Sequence, residues 1–144
     1  MRSGAKMQGR KSQAGVMLIE ALIGILIFSI GILALIGMQA TAIKNTTDAR
    51  YRSEAAFLAN QLIGKMWVDR TNLALYTAGG YAPRDAWVNN VAATLPGIDV
   101  PNNIRVPTVA IGGGNEVTVT IQWQQPGETA VRNLQMINRI NGAI

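Results

Sequence analysis

The chain has 144 residues, of which 49% are hydrophobic and 15% charged. This length suits one compact domain plus one membrane segment and disfavours a second full domain. Cys and His are absent, which excludes disulfides, thiolate nucleophiles, Cys-bound zinc and the commonest general base. Catalysis by carboxylates or Lys stays open in principle, but we predict a protein that is not an enzyme and has no cofactor or metal.

Basic residues are concentrated at the N-terminus. The net charge is +5, and four of these charges lie in residues 1–15, which hold no acid: Arg2, Lys6, Arg10 and Lys11. The rest of the chain is nearly neutral, with Lys and Arg interleaved among Asp and Glu. A phosphate-binding face is therefore not indicated, and no direct contact with nucleic acid is predicted.

An apolar run follows the basic segment. It covers 23 residues from Val16 to Met38, and Glu20 is its only charge. As a helix the run is about 34 Å long, enough to cross a hydrocarbon core of about 30 Å. Because bases precede it, we expect a cytoplasmic N-terminus, with residues beyond Lys44 on the outer side.

Three interpretations of this run compete. Ala40-Thr41-Ala42 supplies a small-residue pattern for a secretory signal peptidase, but the run is longer than a signal's apolar region and contains a carboxylate. A plain uncleaved anchor explains the length and flanks. It leaves Glu20 without a purpose, although a Glu near the membrane boundary can also extend into the headgroups.

The residues around Glu20 resemble the type IV prepilin motif. In that motif a basic leader ends in Gly, an apolar stretch follows the cleavage point, and Glu is the fifth mature residue. Here the leader ends at Gly15 and residues 16–23 read VMLIEALI, with Glu20 in fifth place. The resemblance is close over residues 10–45 and elsewhere extends only to architecture.

The resemblance implies that a prepilin peptidase cuts between Gly15 and Val16 and methylates the new amine on Val16. It also implies that Glu20 pairs with the terminal amine of a neighbouring subunit. An unpaired carboxylate is costly among apolar helices, so this pair would select one register. The chain departs from the common pattern at Val16, where Phe is usual, and at Gly37, where major pilins often carry Pro.

The helix is expected to continue beyond the membrane, from about Met17 to Val68. We divide it into a transmembrane or filament-core part, residues 16–43, and an amphipathic continuation, residues 44–68. Gly24 and Gly31, near Ala34, would allow close helix packing. The continuation is predicted from apolar or small residues at spacings of three or four: Ala40, Ile43, Thr47, Tyr51, Ala55, Leu58, Leu62 and Met66.

Residues 69–103 are predicted to form a connecting region, with Thr77 to Gly80 and Pro83 in a linker and a short helix from Asp85 to Leu95.

Residues 104–144 are predicted to form an antiparallel sheet. Its clearest strand alternates apolar Val117, Val119, Ile121 and Trp123 with polar residues. Residues 104–111 would be its partner, with Pro107 at an edge, and Leu134, Met136 and Ile140 indicate a third strand.

Other candidate sites are weak. The glycines 112–114 lack the Gly-Lys-Ser/Thr that would complete a phosphate loop, so a hairpin loop is predicted. Asp99, Asn102 and Asn103 match no calcium loop and indicate a polar turn. A binding patch of four aromatic residues is less favoured than core packing: Trp67, Tyr76, Tyr81 and Trp87.

The predicted fold class is α+β and pilin-like: a long N-terminal helix, with a membrane half and an amphipathic half, packed on a C-terminal antiparallel sheet. Within the family the chain is most similar to minor pilins of the PilV type, because it lacks the usual Cys pair and the Pro within the helix. The resemblance implies a role in initiation and assembly of type IV pili, which serve adhesion, twitching motility or DNA uptake.

The expected partners are other major and minor pilins, the prepilin peptidase, the inner-membrane assembly platform and the membrane. The expected location is the inner membrane, crossed once with the C-terminal domain in the periplasm, and then the pilus filament or its tip. Two alternatives stay open. One is a type II secretion pseudopilin, and the other is a single-pass anchor carrying a periplasmic domain.

Overall fold

The computed structural model describes residues 13–141, with side chains from Gly15 onward. Two compact units are distinguished, Met1–Thr46 and Thr47–Ile144, and helix α1 (Gln13–Val68) contributes residues to both. The expected leader, residues 1–15, lies outside the described residues except for its last three. The described residues are helical from Gln13, which includes the predicted start at about Met17, and the helix ends at the predicted residue, Val68. An α+β fold is confirmed, because the later part of α1 packs against a three-stranded antiparallel sheet.

In the second unit, α1 buries one face. Leu58, Leu62 and Met66 from the predicted stripe are buried, and Tyr51 packs against the same core. Ala40 and Ile43, which belong to the predicted membrane part of the helix, are exposed. Ala55 of the predicted stripe is buried as well, and the buried face is wider than predicted, since it also includes Ala59 and Ile63.

The connecting region is more regular than predicted. A 3-10 helix follows α1 (Arg70–Thr77), and helix α2 covers Ala82–Thr94. Pro83 was predicted in a linker but lies in the first turn of α2, where its missing N–H would have no helical partner. Three apolar side chains of α2 are buried, Trp87, Val88 and Val91, and so is Leu95, which directly follows the helix.

The sheet contains three strands in the order β1-β2-β3: β1 (Thr108–Ile111), β2 (Glu116–Gln124) and β3 (Val131–Arg139). Both neighbouring pairs are antiparallel. The central strand β2 alternates as predicted, with its four apolar side chains fully buried: Val117, Val119, Ile121 and Trp123. They join the buried side chains of α1 and α2 in one core.

The first strand is shorter than the predicted range 104–111. Pro107 cannot donate a backbone hydrogen bond, and Arg105 has a φ of 52°, in the left-handed region that interrupts an extended strand. Ile104 instead forms an isolated bridge with Asp99. The sheet therefore begins at Thr108.

Candidate functional site

Glu20 lies on the exposed part of α1. It is the only charged side chain between residues 16 and 43, and the side chains around it are exposed. Among the described residues, no hydrogen bond or ion pair reaches its carboxylate. The Glu20 carboxylate is therefore exposed, and no side chain of the described residues covers it.

The Gly15–Val16 peptide bond lies within α1, close to the first described residue of the chain. Val16 and Glu20 are four residues apart, which places them about 6 Å apart along the axis and on nearly the same face. A new amine on Val16 would thus lie about one helical turn from the Glu20 of its own chain.

The surface around Glu20 is apolar. The large side chains from Val16 to Met38 are at least 41% exposed, the lowest value being that of Ile32. Within the described residues, α1 is the one helix long and apolar enough to cross a membrane. Because this segment is not covered by the protein, a soluble core helix does not explain it, and it is compatible with a single-pass membrane anchor.

Small residues share the Glu20 face of the helix. At about 100° per residue, the predicted set Gly24, Gly31 and Ala34 projects within about 40° of Glu20. A Cβ added at Gly24 or Gly31 would meet no other atom within 4 Å. Further along, a shallow groove is lined by mostly small side chains: Ala34, Gly37, Met38, Thr41, Ala42 and Asn45. Such a face permits close approach of another helix.

A polar network in the second unit was not predicted. Gln125, which is 6% exposed, donates from Nε2 to Asp48 Oδ1 at 3.0 Å. Arg132 Nε lies 3.3 Å from the same oxygen, and its Nη2 lies 3.5 Å from Glu128 Oε2. The network joins α1 to the turn before β3 and to β3 itself. Because Asp48 lies 77 residues or more from the other three residues in the chain, no spacing pattern could have indicated that they meet.

A second unpredicted cluster surrounds Asp69, directly after α1. Asn72 Nδ2 donates to Asp69 Oδ1 at 2.7 Å, the Tyr76 hydroxyl donates to Oδ2 at 3.1 Å, and the Tyr81 hydroxyl donates to Oδ2 as well. These hydrogen bonds lower the pKa of Asp69, and the bond from Tyr81 has the largest effect. Burial and the bond to Asp69 raise the pKa of Tyr76, and the bond to Asp69 raises that of Tyr81. The cluster holds the corner between α1 and α2.

The aromatic residues do not form a binding patch. Tyr76 and Trp87 are 1% exposed, and the Trp87 indole N–H donates to the Leu58 carbonyl oxygen at 2.8 Å. Tyr81 packs edge-on against Tyr76, with ring centroids 5.0 Å apart. Trp67, at 39% exposure, is the most accessible of the four. The favoured prediction of core packing is confirmed for Tyr76 and Trp87.

The other weak candidates also have structural roles. Asn102 donates to both carboxylate oxygens of Asp99, through its backbone N–H and its Nδ2, which closes a polar turn. Glycines 112–114 lie in the hairpin connection between β1 and β2. In the part of the chain that the structure describes, no group of three or more acidic residues converges on a possible metal site.

Comparison of the chain with protein-family models, with curated proteins and with solved structures gives no match.

Proposed function

We propose that the chain is a minor pilin that is cut by a prepilin peptidase and takes part in the initiation and assembly of type IV pili. One observation carries the proposal: Glu20 is the single charge in the apolar, exposed segment 16–43 of α1, at the fifth position after Gly15. A carboxylate in such a place is costly in a membrane and by default marks function.

Assembly would proceed through the new terminus. Removal of residues 1–15 takes away four positive charges and leaves an amine at Val16. In a membrane the Glu20 carboxylate lacks water, so a subunit that presents its own terminal amine offsets the desolvation cost. The small-residue face around Gly24 and Gly31 would let neighbouring helices approach closely enough for this pair to form.

The globular part would then be carried outside the membrane. Its composition is nearly neutral, so no direct contact with nucleic acid is proposed. The partners under this proposal are other major and minor pilins, the prepilin peptidase and the inner-membrane assembly platform. The location would be the inner membrane and then the pilus.

Intact-mass measurement of the membrane form tests the proposal. We expect a chain beginning at Val16 with one added methyl group on its amine. A full-length chain would contradict the proposal and favour an uncleaved anchor, whereas a chain beginning after Ala42 would indicate a secretory signal.

Mass spectrometry of sheared surface filaments separates a pilin from a secretion pseudopilin, whose filament normally stays in the envelope. We expect the processed chain in the sheared fraction at low abundance. Its restriction to the envelope, despite processing at Val16, would favour the pseudopilin.

A further inference from the structure

Strand β3 forms an open edge of the sheet. Within residues 13–141 its only neighbouring strand is β2, with which it pairs in one continuous register from Val131 to Arg139. The strand is nine residues long and contains neither Pro nor Gly. Natural edge strands are usually short, bulged, interrupted by Pro or covered by another element. Apart from Arg132 and Arg139 near its two ends, β3 lacks these protections.

The opposite edge is better protected. Strand β1 has four residues, and Pro107 directly precedes it. The 3-10 helix Arg70–Thr77 also lies close beside β1. The two edges therefore differ, and β3 is the edge available to an added strand.

The ladder determines which backbone groups of β3 face outward. The Ile140 N–H donates to the Asn115 carbonyl oxygen at 3.0 Å, which continues the register between β2 and β3. Because inward and outward groups alternate along an antiparallel strand, the N–H and C=O of Asn133, Gln135 and Ile137 point away from β2. These groups can accept a further strand without any change in the existing sheet.

The side chains of β3 are also incompletely covered. Leu134 and Met136 stand opposite Ile121 and Val119 of β2. The two β2 residues are fully buried, whereas Leu134 and Met136 are only partly buried at the margin of the same core. A fourth strand beyond β3 would remove more of this apolar surface from water.

We propose that the β3 edge binds an extended strand of another membrane-anchored filament subunit. That strand would place apolar side chains beside Leu134 and Met136 and a carboxylate beside Arg139. The charge available to a partner on β3 is that of Arg139, because the strand contains no acid and Arg132 already lies 3.3 Å from Asp48 Oδ1. Arg139 Nη2 lies 3.8 Å from Glu116 Oε2 of β2, and the Arg139 side chain remains 60% exposed, so a second carboxylate can approach it from the open side.

A second copy of the chain fits this edge less well. A symmetric pair of antiparallel β3 strands would set beside each other two strands that contain Arg132 and Arg139 and no acid, so neither strand would offer a carboxylate to the Arg139 of the other. The identity of the partner as a filament subunit rests on the proposed function, whereas the open edge does not.

Site-specific photocrosslinking of the full chain in cells tests the inference. A benzophenone amino acid replaces Gln135 at the edge or, as a control, the exposed Gln122 of the central strand β2. Asn133→Pro then removes an outward N–H, whereas Asn133→Thr retains it. The Pro variant should keep the pairing between β2 and β3, which is checked by its thermal unfolding midpoint.

We expect a crosslink from position 135 to a strand of another chain. The precursor of that chain should have a basic leader that ends in Gly, with Glu as the fifth residue after this Gly. Asn133→Pro should reduce this adduct by about fivefold or more, equivalent to about 1 kcal/mol, and Asn133→Thr should not. If the Pro variant unfolds, Arg139→Glu replaces it, with the same reduction expected.

A dimer of this chain, equal crosslinking from positions 122 and 135, a partner without a prepilin-type N-terminus, or no adduct would each overturn the inference. If the chain is processed at Val16 and present in filaments but gives no adduct, the proposed function stands and this inference fails. A full-length chain would instead refute the proposed function.

Discussion

The indole N–H of Trp87 donates to the carbonyl oxygen of Leu58 at 2.8 Å, inside the core between α2 and α1. Trp87→Phe removes this donor and leaves a gap, so we expect the free energy of unfolding to fall by about 1–3 kcal/mol. Thermal unfolding of the purified chain in detergent, followed by near-UV circular dichroism, measures the change. Trp67→Phe is the matched control, with an expected change below about 0.5 kcal/mol. Equal losses in the two variants would contradict the assignment.

The Asp69 cluster predicts a pH dependence in the acid range. The folded-state pKa of Asp69 is lowered, so its contribution to stability is present above the unfolded-state value of about 3.9. It is lost as the pH falls through the folded-state pKa. Tyr81→Phe removes the largest cause of the shift, so the pKa of Asp69 should rise and the acid-dependent loss of stability should become smaller. Carboxyl NMR titration checks this, and an unchanged Asp69 pKa in the variant would refute it.

Gly97 is predicted to tolerate no side chain. Its φ of +78° lies in the left-handed region, and an added Cβ would lie 2.9 Å from the Gln124 carbonyl oxygen. Gly97→Ala should therefore lower the free energy of unfolding by at least about 1–2 kcal/mol. Gly64→Ala is the control, because it lies within α1 and its Cβ would meet nothing within 4 Å. This second change should raise stability by up to about 1 kcal/mol. Thermal unfolding of both variants should give shifts of opposite sign.

Glu20 is predicted to act in assembly and not in processing. Glu20→Ala should still be cleaved after Gly15, but its amount in sheared filaments should fall by about tenfold or more, equivalent to at least about 1.4 kcal/mol. Glu20→Gln should behave similarly, since it keeps the shape and removes the charge. Glu54→Gln, on the later part of α1, is the control and should be incorporated normally. Quantitative mass spectrometry of filaments makes the comparison, and normal incorporation of Glu20→Ala would count against the pairing role.

The elements with the strongest local patterns were predicted best. Alternation from Val117 to Trp123 identified β2 and its buried face, and the end of α1 at Val68 was predicted correctly. The start of β1 was not, because a bridge between Asp99 and Ile104 and the backbone of Arg105 replaced the expected strand. The bridge is a contact between two particular residues, and the Arg105 conformation belongs to one residue. A periodic pattern of apolar and polar residues predicts neither of them.

For the candidate site, the sequence supplied Gly15, Val16 and Glu20, and the structure adds that the surface around Glu20 is uncovered. The roles of these residues in cleavage, methylation and pairing remain predictions. The polar network of Asp48 and Arg132 and the cluster around Asp69 could not be predicted, since their partners come together only when the chain folds.

The sequence by itself determined the long apolar helix with its single carboxylate, the placement of basic charge before it, and the strands of the C-terminal part. These features depend on the order of neighbouring residues, and helical and extended backbones convert that order directly into faces. Only the tertiary structure decided where α1 becomes buried, which donors meet Asp69, and that β3 is left as an open edge. These depend on packing between distant segments, because burial and hydrogen bonding are properties of the folded neighbourhood and not of local spacing.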